Sequence, residues 1–217
     1  MPKKCVVLLS GGIDSSTTLF YAKSRGFSCK ALIFDYGQRH KREIHSAIAI
    51  AKAANVPYRI IKIKLPWKGS SLIDSSSKIP VTRSGHIGKG IPSTYVPGRN
   101  TIFISFAISY AEAIGAEAVF IGANAIDYSG YPDCRPSYYK AFNKVIKEGT
   151  KAKNITIKTP LIKTKKSDII KLGLKLGVPY NLTWSCYKGG SRPCGVCDSC
   201  IIRQKGFRNL RLNVAVH

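Results

Sequence analysis

The chain has 217 residues, 44% of them hydrophobic, a length that suits one domain or one domain with a small appendage. That composition excludes wholesale disorder, and no apolar run approaches the ~20 residues that a membrane-spanning helix needs. Lysine and arginine number 35 against 11 acids, a net charge of +24 that attracts polyanions: nucleic acid, nucleotides or acidic membrane surfaces.

Cys5–Leu9 is a short apolar run, as a strand buried in a parallel sheet should be. It is too short for a signal-peptide core and runs into Ser-Gly-Gly, so a cytoplasmic protein is expected. A helix is predicted over Ser15–Ser24, a strand over Ala31–Phe34, and a helix over Glu43–Ala54, where Ile44, Ala47, Ile48 and Ala51 recur at helical spacing. Tyr58–Ile63 reads as a third strand, Thr101–Ile114 as a strongly apolar helix and Ala118–Ile121 as a fourth strand. Tyr138–Lys147 is a further helix, Ile155–Lys158 an edge strand, and Lys165–Leu176 a helix ended by Gly177 with Pro179 beyond. The segment Leu65–Asn100 is long and rich in Ser, Gly and Pro, and loops of that length inside a compact domain are usually functional or mobile. Repeated strand–helix units predict an α/β fold, a parallel sheet covered on both faces, with ligands at the carboxyl ends of the strands. The lysine-rich stretch 140–175 holds eleven lysines against Glu148 and Asp168. Solvated helix faces account for it somewhat better than a dedicated nucleic-acid groove, because stacking aromatics are not interleaved with the lysines.

Four segments carry chemistry. Ser10-Gly11-Gly12-Ile13-Asp14-Ser15-Ser16 lies between the first strand and the first helix. Two glycines let successive N–H groups turn inward beside a helix N-terminus, which makes an anion nest, and the serines add hydroxyl donors. Asp14 can cap the helix or help hold Mg²⁺ on the phosphates. Neither G-x-x-x-x-G-K-[ST] nor G-x-G-x-x-G occurs here, so Walker-type and dinucleotide sites are excluded. Asp35-Tyr36-Gly37-Gln38-Arg39-His40 follows the second strand, and taken alone His40 reads as a surface histidine. Arg99 and Asn100 precede the apolar helix, Arg99 suited to a phosphate and Asn100 to an N-cap. Asp127-Tyr128-Ser129-Gly130-Tyr131-Pro132-Asp133-Cys134-Arg135 follows the fourth strand. Its carboxylates suit the paired N–H donors of a guanine edge and its aromatics suit a purine face. Cys134 reads more readily as a buried thiol than as a nucleophile.

Seven cysteines, an odd number with four crowded near the C-terminus, argue against a disulfide framework and for metal binding in a reducing compartment. Cys186, Cys194, Cys197 and Cys200 lie within fifteen residues and can wrap one tetrahedral Zn²⁺ as a structural site, with an iron–sulfur cluster as the rival. The expected division is a main domain over 1–179 and a metal-binding segment over 180–217, with Arg203 pointing back toward the site.

The string S-G-G-x-D-S-S resembles the pyrophosphate loop of the ATP pyrophosphatases, which transfer AMP to a substrate oxygen. The six segments S-G-G-I-D-S-S, D-Y-G-Q-R-H, Y-V-P-G-R-N, D-Y-S-G-Y-P-D-C-R, T-P-L and the cysteine tail together resemble the 7-cyano-7-deazaguanine (preQ0) synthases of queuosine and archaeosine biosynthesis, nearly end to end. That resemblance implies a Rossmann-like nucleotide-hydrolase fold and conversion of 7-carboxy-7-deazaguanine, free ammonia and ATP to a nitrile, by way of an adenylated acid and an adenylated amide. It places ATP on the loop with its flanks Leu9 and Thr17. It assigns Arg99 and Lys166 to phosphate charge, Gln38, Arg39 and His40 to the substrate carboxylate, and Asp127, Tyr131 and Asp133 to the deazaguanine. It implies ATP, Mg²⁺ and Zn²⁺ as cofactors and a homodimer. Other readings are an ATP pyrophosphatase that modifies tRNA, which the charge favours, a deazaguanine-handling paralogue, and a non-catalytic zinc-ribbon nucleic-acid binder, which would leave the glycine loop unexplained.

Overall fold

Short β-branched and apolar runs alternating with helical segments settle into five strands and six helices in this computed structural model, which describes residues 1–74, 76–79, 90–126 and 131–211. In chain order these are β1 (Lys4–Leu8), α1 (Ile13–Ser24), β2 (Ser28–Asp35), α2 (Arg42–Ala53), β3 (Tyr58–Lys62), α3 (Arg99–Ala113), β4 (Ala118–Ile121), α4 (Pro136–Gly149), β5 (Thr156–Lys158), α5 (Lys166–Lys175) and α6 (Asp198–Arg208). The strands form one sheet in the order β3-β2-β1-β4-β5, and every pairing is parallel. β1 is central, with Val7 opposite Ala31 on one side and Phe120 on the other. Strand order reverses beside β1, where the chain crosses from β3 to β4, so the carboxyl end of β1 is the switch point at which such sheets bind ligands.

Alternate residues of the buried strands feed two cores. Val6, Leu8, Leu32, Phe34 and Val119 face α3 and α4, packing on Ile104, Ala107, Tyr139 and Ile146. Cys5, Val7, Ala31, Ile33 and Phe120 face α1 and α2, packing on Leu19, Ala22, Ala47 and Ile50. A third cluster, Ile13, Leu161, Ile169, Ile170, Val178, Tyr180 and Phe207, joins α1, α5 and α6. Phe207 alone, 3% exposed, contributes about 2–3 kcal/mol by its burial.

Helix boundaries and caps depart from the sequence expectations. α1 begins at Ile13 on a Gly12 cap, and Asp14 does not cap it, its carboxylate being engaged elsewhere. α3 begins at Arg99 and its cap is Gly98, in the left-handed region at φ 62°, so Asn100 lies inside the first turn. The chain must reverse sharply there, a conformation that Asn100 does not take up. α6 was not anticipated: its sequence, DSCIIRQKGFR, has little apolar periodicity. Tertiary packing supplies the reason, since Gly206 lets α6 approach so closely that a Cβ there would stand 2.6 Å from Lys166 Cγ. Among the described residues no helix is long and apolar enough to cross a membrane.

Candidate active site

The carboxyl end of β1 opens into a cavity of about 270 Å³. Its floor is the loop Ser10–Asp14. Gly11 sits at φ 78°, and a Cβ there would lie 2.5 Å from Ala47 N and 2.6 Å from Glu43 O, so the loop is pressed against the first turns of α2. Gly122, at the end of β4, is equally constrained: a Cβ would meet Asp14 C and Ser15 N at 2.8 Å. Only a lone glycine after a strand marked it in the sequence, and sequence reasoning passed over it. Ser10 and Ser15 tie the loop together through hydroxyl oxygens 3.0 Å apart, and Ser15 Oγ donates to Gly12 O. No side chain caps α1, which leaves its first N–H groups for an anion. Ser10, Gly12, Ile13, Asp14 and Ser15 line the cavity together with Leu9. Thr17 points away, its hydroxyl on Ile13 O and 2.7 Å from Tyr180 Oη, and Ser16 is buried behind the loop.

Two cations stand over this floor. Lys166, the first residue of α5 and only 8% exposed, places Nζ 2.6 Å and 2.8 Å from the two oxygens of Asp14. Arg99, the first residue of α3, is half-buried, with its guanidinium 5.9 Å from the ring centroids of Tyr36 and Phe103. Burial opposes its charge, while Tyr36, Tyr131 and Asp133 around it restore it and hold it firmly protonated. Glu43, from the first turn of α2, also lines the cavity, and burial pushes its carboxyl up to about 7 against the pull of Arg99. Tyr131 lines the wall near Arg99, its hydroxyl 2.7 Å from Thr94 Oγ1.

The remaining expected residues divide. Gln38 lines the cavity, but its amide folds back on its own loop, accepting from Tyr36 N and donating to Phe34 O. Arg39 does not line it: its guanidinium donates to Ser71 O and Ser77 O and pins the long loop. His40 does not line it either. Its ring packs on Gly189, where any Cβ would collide with it, and burial lowers its pKa. Asp133 is buried outside the cavity lining, accepting from Asn100 N and raised by burial, so it supports the start of α3 beside Arg99. Cys134 does line the cavity, with its thiol pushed up to about 12 by burial, the state of an inert thiol. Asp127 lies outside the described residues.

The cysteine tail forms the rim. One ligand atom from each of Cys186, Cys194, Cys197 and Cys200 lies within 4.8 Å of the others, a set that one metal ion can bridge. Cys186 Sγ accepts N–H bonds from Lys188 at 3.4 Å and Cys194 at 3.3 Å, and the Cys197–Cys200 hydrogen bond pulls Cys197 down to about 5 while it pushes Cys200 up. The tail is bonded to the glycine–serine loop, Trp184 N donating to Gly11 O at 2.9 Å. Arg203, 4% exposed, lines the cavity while donating to Thr183 Oγ1 and Tyr180 O.

A parallel sheet in this order, with a glycine–serine loop at its switch point, defines an α/β protein of the ATP pyrophosphatase fold. Solved structures agree at the level of fold. A 4-thiouridine synthetase–RNA complex with bound ATP superimposes with TM-score 0.51 and 20% identity, covering 96% of this chain and 50% of that one. The U34-tRNA thiolase NcsA from Methanococcus maripaludis, with its [4Fe-4S] cluster, gives 0.52 and 16%, covering 100% and 75%. Within that class the relationship is closer to one group: the profile of the queuosine biosynthesis protein QueC matches residues 4–211. The 7-cyano-7-deazaguanine synthase of Thermoplasma volcanium is 54% identical over 210 residues, 95% of this chain and 87% of that protein. That of Nostoc sp. is 54% identical over 216 residues, 96% and 94%. The chain belongs to the QueC family.

Proposed function

We propose that the chain is a 7-cyano-7-deazaguanine synthase, joining ammonia to 7-carboxy-7-deazaguanine and then dehydrating the amide, with two ATP cleaved to AMP and pyrophosphate. The observation that carries this reading is the pair of cations, buried Lys166 and half-buried Arg99, facing one cavity above an open anion loop in a member of this family. ATP lays its phosphates on Ser10–Ser16, where N–H groups and hydroxyls receive them. The substrate carboxylate attacks the α-phosphate, and Arg99 and Lys166 offset the charge that develops there. Ammonia displaces AMP to give the amide, whose oxygen is adenylated in turn, and AMP leaves again to form the nitrile. Little covalent chemistry falls to the protein, which positions, neutralises and excludes water.

Mg²⁺ would arrive on the phosphates of ATP. Asp14 already faces the Lys166 ammonium with both oxygens, so no protein ligand is assigned to that ion. The four thiolates fit Zn²⁺: a tetrahedral Zn–S length of about 2.3 Å sets sulfurs about 3.8 Å apart, and these lie within 4.8 Å. The ion would staple segment 180–217 onto the main unit 1–179 and so hold Trp184 against the loop. It takes no part in the chemistry.

The test is a mass-spectrometric assay of the purified protein with 7-carboxy-7-deazaguanine, ammonium, Mg²⁺ and ATP. Nitrile, AMP and pyrophosphate without added RNA are the expected products. A folded, metal-loaded protein that makes neither amide nor nitrile sinks the reading, and a requirement for tRNA would replace it with the tRNA-modifying one.

A further inference from the structure

The cavity is lined by three cationic side chains, Arg99, Lys166 and Arg203, and among the described residues by two carboxylates, Asp14 and Glu43. Asp14 is fully occupied by Lys166. Glu43 is not occupied: among the described residues its carboxylate accepts no hydrogen bond and has no ion pair within 4 Å. Its backbone carbonyl is packed under Gly11, so its position is fixed relative to the phosphate loop. The titratable and charged groups that face it are Arg99 from α3 and Tyr36 from the segment after β2, while Asp14 and Lys166 close the same cavity from α1 and α5. Glu43 is half-buried and opens onto the cavity, so its unpartnered carboxylate can meet a donor from outside the chain there.

The proposed reaction brings such a donor. Amines of this kind titrate well above neutrality, so nitrogen arrives mainly as ammonium, a cation that Arg99, Lys166 and Arg203 repel. Ammonium carries four protons and the nitrile nitrogen carries none, so all four must leave. We infer that Glu43 captures ammonium and is the base that takes protons from the nitrogen, an inference that rests on the synthase reading above. Ammonium gives its first proton to Glu43 and becomes ammonia. The lone pair of ammonia forms the C–N bond to the acyl carbon, the C–O bond to AMP breaks, and a second proton leaves nitrogen to give the amide. The amide oxygen then displaces pyrophosphate from the second ATP. Two more protons leave nitrogen as the C–O bond to AMP breaks and the C≡N bond forms. Nothing is oxidised or reduced, and Glu43 passes each proton to water between steps.

The burial that raises Glu43 to about 7 sets the sign of the pH dependence: a base works deprotonated, so the rate rises as pH climbs through about 7. Glu43→Gln keeps the shape and removes the base. We expect nitrile formation to fall about 100-fold and the inflection near pH 7 to vanish, leaving only the steady rise set by the fraction of free ammonia. Acid-dependent exchange of labelled pyrophosphate into ATP, which precedes nitrogen entry, should fall by less than about threefold. Hydroxylamine is largely neutral at pH 7 and needs no deprotonation to attack, so hydroxamate formation should stay within about fivefold of wild type. A Gln variant that makes nitrile within about threefold of wild type overturns the inference, as does one that loses exchange and hydroxamate together with nitrile while still folded. Should the Gln variant fail to fold, Glu43→Asp decides: its preference for hydroxylamine over ammonium should rise about tenfold, and an unchanged ratio overturns the inference. Absence of nitrile from the wild-type protein is a different result, which counts against the synthase reading itself.

Discussion

Asp14 and Lys166 stand 152 residues apart and meet through two short hydrogen bonds in a site where both are almost buried. Removing one partner of such a pair strands the other charge, at a cost of about 3–5 kcal/mol. Asp14→Ala should therefore lower the melting temperature and abolish nitrile formation. The double variant Asp14→Ala/Lys166→Met should recover most of the stability and none of the activity, read by thermal denaturation and the mass-spectrometric assay. Much at this scale was legible beforehand. Glycines beside serines between a strand and a helix have a local reason to bind phosphate, and Arg99 and Lys166 were expected at the site. What eluded local reasoning were residues whose neighbours come from elsewhere in the chain. Glu43 reads as an ordinary acid in a helix's first turn, and Gly122 as an ordinary turn residue, until the segment Gly11–Ser15 is packed against both. For His40 and Arg39 the family resemblance implied substrate contact, while in this fold His40 packs on Gly189 and Arg39 holds the backbone of the long loop.

At the level of elements, α5 and α6 act as a unit with α1. Gly173 lies in α5 where the Tyr180 hydroxyl occupies the space a Cβ would need. Gly173→Ala raises helix propensity by about 1 kcal/mol, yet overpacking of about 1–3 kcal/mol or more should win. A net loss of stability in denaturant titration is expected, and a gain would show that Tyr180 can yield. The cysteine tail is tied to the glycine–serine loop by Trp184 N on Gly11 O, and Arg42 stacks over the Trp184 ring while donating to Ser191 O. Cys197→Ser should release one equivalent of metal, measured colorimetrically. ATP affinity and thermal stability should fall together, because the loop loses its brace as the tail loosens. ATP affinity that survives complete metal loss would mean that the loop stands by itself.

On the scale of the whole molecule, charge is the term that packing does not balance. Ion pairs among the described residues are Lys3–Glu117, Lys41–Asp35 and Lys166–Asp14, few against a net +24. Self-repulsion of that size opposes the compact state and is screened over about 10 Å at 0.1 M salt. The melting temperature should rise by several degrees between about 0.05 M and 0.5 M salt, read by calorimetry. A fall would mean that the lysines already have counter-charges in solution.

By itself the sequence determined the repeating strand–helix units, the parallel sheet, the anion loop and the four-thiol group, because each follows from periodicity or from residues close together along the chain. Strand order was left to the tertiary structure, and with it the placing of β1's loop at the switch point. So too were the pairing of Asp14 with Lys166, the packing of α6, the seat of His40 and the exposure of Glu43 to the cavity. All of these depend on contacts between residues distant in sequence, whose energies come from burial and close approach and leave no local pattern to read.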